Sequence, residues 1–206
     1  MARPANADAA RTQRRILDSA LTLFSQRGAR GASIRAIAAQ AGVSVGMINH
    51  YFGSKDGLYD ACLDAMYAEL SALQAPLMAA VADGADVADA IRQAVVAGYG
   101  FARQHPVELR LLQREILAHG ALSPRRQRDT QAPFLEQAPA VLAAALMKPP
   151  ADMRLALQSL VMLISRYALS NDDELALFTQ NAADPHQAVV DHLIELADRL
   201  FGLDTL

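Results

Sequence analysis

The chain has 206 residues, of which 52% are hydrophobic and 20% charged, with no tryptophan and a net charge of −3. A chain of this length buries roughly 70% of its unfolded surface, so it needs no metal or disulfide staple, and its composition excludes disordered, collagen-like and disulfide-rich classes. The lone Cys62 cannot pair within the chain and fits a reducing cytoplasm. No apolar run approaches the ~18 residues of a membrane span, so no membrane partner is expected. The start, MARPANADAARTQRR, lacks the apolar stretch of a secretory signal. Charge is unevenly spread. Residues 1–60 carry eight basic side chains (Arg3, Arg11, Arg14, Arg15, Arg27, Arg30, Arg35, Lys55) against four acids, a balance of +4. The other 146 residues are at −7. A basic head on an acidic body fits a head that meets a polyanion, although chance scatter of solvated charge gives the same count.

The periodicity predicts an all-α chain of about nine helices, with no sustained period-2 alternation. Ile16, Ala20, Leu23 and Phe24 form the stripe of a first helix that ends at Gly28. Ser33 caps a short second helix with Ile34, Ile37, Ala38 and Ala41 on one face, and Gly42 breaks it. Ser44 caps a third, carrying Val45, Ile48 and Phe52. Gly53-Ser54 ends that helix and caps a fourth from about Lys55. Later helices are predicted near 86–104, 106–119, 124–147, 151–170 and 185–202. Pro133 and Pro139 should kink or split the 124–147 stretch, and 171–185 reads as a loop or a short broken helix.

Two short helices joined by the Ala41-Gly42-Val43 turn describe a helix-turn-helix. On a helical wheel Val45, Ile48 and Phe52 cluster on one side of the third helix. Gly46, Met47 and His50 point the other way, with Asn49 and Tyr51 on the flanks. That outward face is small and polar enough to enter a major groove about 12 Å wide. Gly46 permits close approach, Asn49 and His50 can bond base edges or phosphates, and the Tyr51 hydroxyl suits a phosphate. Ser33, Ser44 and Lys55 stand at helix N-termini, where amides and positive charge hold phosphate, with Arg35 beside them. A three-helix subdomain without a nucleic-acid partner is the plainer alternative.

The run from Ser33 to Leu58 resembles the TetR family of bacterial transcriptional regulators. The matching residues are Ile37-Ala38, Ala41-Gly42-Val43-Ser44, Gly46, Tyr51-Phe52 and Ser54-Lys55 with Leu58, preceded by Arg15-Ile16-Leu17-Asp18-Ser19-Ala20, Phe24 and Gly28. Many members have tyrosine where this chain has Asn49, an amide that could pair with adenine. The resemblance implies a helix-turn-helix domain over 1–58 and a larger helical effector-binding and dimerisation domain over 59–206. It implies a cytoplasmic, nucleoid-associated homodimer that binds a palindromic double-stranded operator and represses transcription until a small molecule releases it. It also implies a dimer interface built from the last two long helices.

The terminal helices read as apolar on two sides, which independently calls for two burial partners: a second subunit, or the chain's own core on both sides. The stripes proposed for the dimer are Leu157, Leu160, Val161 and Ile164 on one helix and Val189, Leu193, Leu196 and Leu200 on the other. For the effector, the 106–119 helix offers Arg110 and Arg114 at i, i+4, either buried in an anion pocket or paired with Glu108 and Glu115 or exposed. Tyr99, Arg103, His119, Met162 and Arg166 are further candidate lining residues, the effector itself remaining unspecified. No nucleophile elbow, phosphate loop or HExxH pattern occurs, and no two histidines stand at metal-binding helical spacing, so no enzyme, metal or cofactor is expected. The remaining alternatives are a helical module that docks a protein, and a DNA-binding activator.

Overall fold

A computed structural model describes residues 5–203, with side chains from Asp8 onward; the basic Arg3 lies outside the described residues. Every described element is helical, and the chain divides into two compact units. The first comprises residues up to Ala68 together with Val107–Gly120, and the second Glu69–Pro106 with the chain from Ala121 onward.

The first unit is built on α1 (Ala5–Gly31), α2 (Ile34–Ala41), α3 (Val45–Phe52), the opening turns of α4 (Lys55–Ala82) and most of α6 (Pro106–His119). Helix α1 breaks at Gly28, as its sequence predicts, through a backbone at φ 70° and ψ 165°, and then resumes for one turn. The predicted apolar stripes supply the core: Ile16, Ala20, Phe24, Ile37 and Ile48 are almost wholly buried, and Leu58 and Leu63 of α4 are buried as well. Phe24 meets Tyr59 edge to face at 5.7 Å, and the Tyr59 hydroxyl donates to the Leu111 carbonyl at 3.3 Å. Burying a side chain of this size contributes roughly 1.5–3 kcal/mol, so α3, with Ile48 as its one buried residue, depends on α1 and α2 for most of the shared core.

The second unit contains α5 (Val87–Gln104), α7 (Pro124–Arg126), α8 (Ala132–Leu146), α9 (Pro150–Ala168), α10 (Asp172–Phe178) and α11 (Pro185–Phe201). Asp86 and Asp184 cap α5 and α11 by accepting from amides of their first turns. The predicted 124–147 helix is split just ahead of Pro133, whose ring disfavours the regular i−4 bond at Asp129, while Pro139 does not split it. A π-helical turn over Gln127–Gln131 separates α7 from α8. Pro133 sits in the first turn of α8, where its missing N–H costs nothing, and Pro139 lies within the continuous helix. The 171–185 stretch holds the short helix α10, capped by Asn171.

Helix α11 settles the orientation of its apolar stripes. Val189, Val190, Leu193, Ala197 and Phe201 are buried against the chain's own core, where α11 packs on α5 and α9. Three residues proposed for a subunit interface, Leu160, Val189 and Leu193, are therefore only 5%, 3% and 0% exposed in a single chain. They form the core because each lies on the side of its helix turned to the neighbouring helix. Leu157, Val161, Ile164 and Leu196 are half-buried, and Leu200 is exposed. The apolar side chains that α9 does present to solvent are Leu155 and Met162.

Candidate nucleic-acid interface

The turn between α2 and α3 is specified residue by residue. Ser33 begins α2 by accepting from the Ala36 amide at 3.2 Å. Gly42 ends it in the left-handed region at φ 64°, and its amide donates to the Ala38 and Ala39 carbonyls. The Val43 amide returns to Ala38 at 3.0 Å. This pair of bonds closes the helix and turns the chain at a fixed angle. Ser44 then restarts it, accepting from the Met47 amide at 3.2 Å. Ile48, fully buried, is the inward residue of α3, which packs on α2, where Ile37, Ala38 and Ala41 are buried.

With Ile48 inward, the opposite face of α3 is displayed. Gly46, Met47, Asn49 and His50 are exposed. Tyr51 is half-buried and makes edge contacts with His50 at 5.2 Å and Phe52 at 6.2 Å, which limit its ring and leave the recognition face to the other four. Arg35 is exposed on α2. Eight of the nine proposed DNA-facing residues therefore lie on α2, α3 and their N-caps, and seven of these are exposed: Ser33, Arg35, Ser44, Gly46, Met47, Asn49 and His50.

Lys55 is the first residue of α4, at the helix N-terminus where its sequence reading put it, and it has bonds within the chain as well. Its ammonium donates to the carbonyls of Arg30 at 3.4 Å and Ala32 at 3.3 Å, satisfying the C-terminal end of α1. It acts first as a tie between α1 and α4. Gly57 escaped the sequence reading altogether. A Cβ there would overlap the Phe52 carbonyl oxygen, so the α3–α4 junction closes only around glycine. No local sequence signal marks that contact. Cys62, beside the same junction, is buried, and desolvation first and then Glu108 and Asp18 push its thiol up to about 12.

The candidate effector residues are dispersed or already engaged. In the first unit, Arg110, Arg114 and His119 are all exposed, so the buried-arginine reading of α6 fails, and the charged residue buried on that helix is Glu108. In the second unit, Tyr99 is buried and its hydroxyl pairs with His186 Nδ1 at 2.9 Å, while burial raises its pKa. Arg103 donates to the Ala168 and Ser170 carbonyls, closing the end of α9. Arg166 forms a two-pronged pair with Glu174 at 2.7 and 3.2 Å and donates to the Ser170 hydroxyl. Met162 points to solvent. Tyr99, Arg103 and Arg166 thus meet around the C-terminus of α9 as internal fasteners. Among the described residues no cluster of potential metal ligands occurs, and no helix is long and apolar enough to cross a membrane.

A helical body joined in sequence to a helix-turn-helix whose third helix exposes Gly46, Met47, Asn49 and His50 is the architecture of this chain. Residues 16–62 match the family described as bacterial regulatory proteins, tetR family. Over 122 residues the chain is 33% identical to the HTH-type transcriptional repressor NicS of Pseudomonas putida, covering 59% of this chain and 56% of that one. It is 40% identical over 48 residues to the HTH-type transcriptional regulator BetI of Paraburkholderia phytofirmans, 25% of that protein's length. The chain thus spans about half or less of the curated relatives it matches. Among solved structures, a TetR-like transcriptional regulator from Rhodococcus sp. RHA1 superposes over 94% of this chain and 96% of its own with a TM-score of 0.65 at 24% identity. The fatty acid degradation regulator FadR from Bacillus halodurans covers 90% and 94% with a TM-score of 0.64 at 14% identity. These two likenesses establish the shared fold.

Proposed function

We propose that the chain is a dimeric transcriptional repressor that reads a palindromic operator through α3 and is released by a small molecule held in its larger helical unit. One observation carries the DNA-reading role. Helix α3 is anchored by Ile48 and turned by Gly42 so that Gly46, Met47, Asn49 and His50 all face solvent together. The basic balance of residues 1–60 supports approach to a polyanion. A dimer suits this reading because two recognition helices about 34 Å apart meet successive major grooves. Release requires only that the effector prefer one of two dimer arrangements; a full reversal from 1:99 to 99:1 takes ~5.5 kcal/mol of differential binding. NicS, named a repressor, supports the direction of control.

The test is fluorescence anisotropy of the full chain on duplex DNA from upstream of its own gene, against a scrambled duplex, at two salt concentrations. A preference of roughly 10³-fold or more, falling steeply with salt, supports a sequence-reading regulator. If genomic selection also yields no preferred duplex, the reading is rejected, and a helical module that docks a protein takes its place.

A further inference from the structure

Three elements of the second unit meet at His186. It is the second residue of α11, and its Nδ1 lies 2.9 Å from the Tyr99 hydroxyl on α5. Its Nε2 has two neighbours of opposite charge. One is the carboxylate of Asp172, the first residue of α10, at 3.3 Å; the other is Nη2 of Arg103 on α5, at 3.4 Å. Arg103 and Asp172 are themselves 3.7 Å apart, so a ring nitrogen, a cation and an anion form a triangle. Arg103 also donates to the Ala168 and Ser170 carbonyls at the end of α9. The other charged groups of this corner have their own bonds: Asp184 caps α11, and Arg166 of α9 is paired with Glu174 of α10.

The ring cannot satisfy all three neighbours at once. A neutral imidazole has one N–H and one lone pair. With the lone pair on Nδ1 it accepts from Tyr99 and donates to Asp172; with the lone pair on Nε2 it accepts from Arg103 and donates to Tyr99. A charged ring has two N–H groups and no lone pair. It still donates to Asp172, now with opposite charges, but it can accept from neither Arg103 nor Tyr99. The Tyr99 hydroxyl, buried, loses the ring as its acceptor, and two cations face each other across 3.4 Å. The positive end of α11 adds to that repulsion. The side chain is 36% exposed, so a proton from solvent reaches it.

We propose that this cluster is a proton-operated latch. While the ring is neutral, the start of α11 is fastened to α5 through Tyr99 and Arg103; when the ring takes up a proton, the fastening passes to Asp172 and the start of α10. Histidine changes charge between about pH 8 and about pH 5, so the transfer falls within that range. Glu174, held below the ordinary carboxyl value by Arg166, stays ionised there, and the second tie of α10 is unchanged.

The test is hydrogen exchange of the full chain at about pH 8 and about pH 5, corrected for the intrinsic pH dependence of amide exchange, on wild type, His186→Gln, Asp172→Asn and His192→Gln. In wild type, protection of the α10 amides should rise about five-fold in acid, the value of one net hydrogen bond, while protection of the last turn of α5 falls. Glutamine donates and accepts like the neutral ring but takes up no proton, so His186→Gln should show neither change. Asp172 is 84% exposed, so Asp172→Asn leaves the fold intact and tests the latch even if His186→Gln does not fold. It should lose the gain in α10 and keep the loosening of α5. His192→Gln, at the other histidine of α11, should respond as wild type does. The proposal is overturned if α10 gains no protection in wild type, if His186→Gln or Asp172→Asn shows the same gain, or if His192→Gln abolishes it.

Discussion

Met162 and Leu155 stand two turns apart on α9, 63% and 73% exposed, and Met162→Asp tests whether that face joins two subunits. Complete burial of such a side chain contributes roughly 1.5–3 kcal/mol, so about two-thirds of it, roughly 1–2 kcal/mol each, is recoverable by covering them. A two-fold interface uses each residue twice, and four side chains give about 4–8 kcal/mol, or roughly three to six orders of magnitude in the dissociation constant. An aspartate at this position forfeits the apolar gain and brings two like charges near the axis. Sedimentation velocity at micromolar concentration should show dimers for wild type and monomers for Met162→Asp, with little change in thermal unfolding. Leu193→Ala provides the contrast. Its side chain is fully buried in one chain, so the substitution should cost about 2–5 kcal/mol of fold stability and lower the melting temperature. A Met162→Asp protein that stays dimeric, or a wild type that is monomeric, refutes the reasoning.

Two further outcomes follow from ionisable groups. The Arg166 guanidinium, hydrogen-bonded to Glu174 with help from Ser170, holds that carboxyl below the ordinary glutamate value. Because the folded value is the lower one, the pair stabilises the protein above the ordinary glutamate range and its contribution fades as pH falls through the folded value. The difference in melting temperature between wild type and Glu174→Gln should accordingly shrink towards zero in acid; a difference that ignores pH would contradict the pairing. Cys62, with its thiol raised to about 12, should resist alkylation by iodoacetamide at mildly alkaline pH and react at once in denaturant. Rapid labelling of the native protein would show that the α1–α4 packing opens readily.

The helix-turn-helix is readable from sequence because its instructions are local. Ser33, Gly42, Ser44 and Gly53 each fix a helix end through bonds within a few residues, and Ile37 and Ile48 mark the inward faces by spacing alone. Long-range geometry is not written that way. Lys55 bonds to carbonyls 25 and 23 residues earlier, and Tyr99 meets His186 across 87, so neither partner shows in a spacing pattern. The stripes on α9 and α11 announce two apolar sides without saying which one the chain itself consumes; packing assigns Leu160 and Leu193 to the core and leaves Leu155 and Met162 outside. Proline was half a guide in 124–147: the π-helical turn at Gln127–Gln131 spans the i−4 residue of Pro133, whereas Pro139 sits inside an unbroken helix.

The bonds from Lys55 to the end of α1 have a mechanical meaning. One ammonium at the first residue of α4 grips two carbonyls at the last turn of α1, while Ser54 accepts the Gly57 amide at 3.0 Å and locks the same corner from the other side. A joint held by one ammonium on two carbonyls resists swivelling, because a tilt of the start of α4 away from α1 lengthens both bonds. Stiffness at this corner ties the start of α4 to the end of α1, so α1 and the opening of α4 answer a perturbation as one piece.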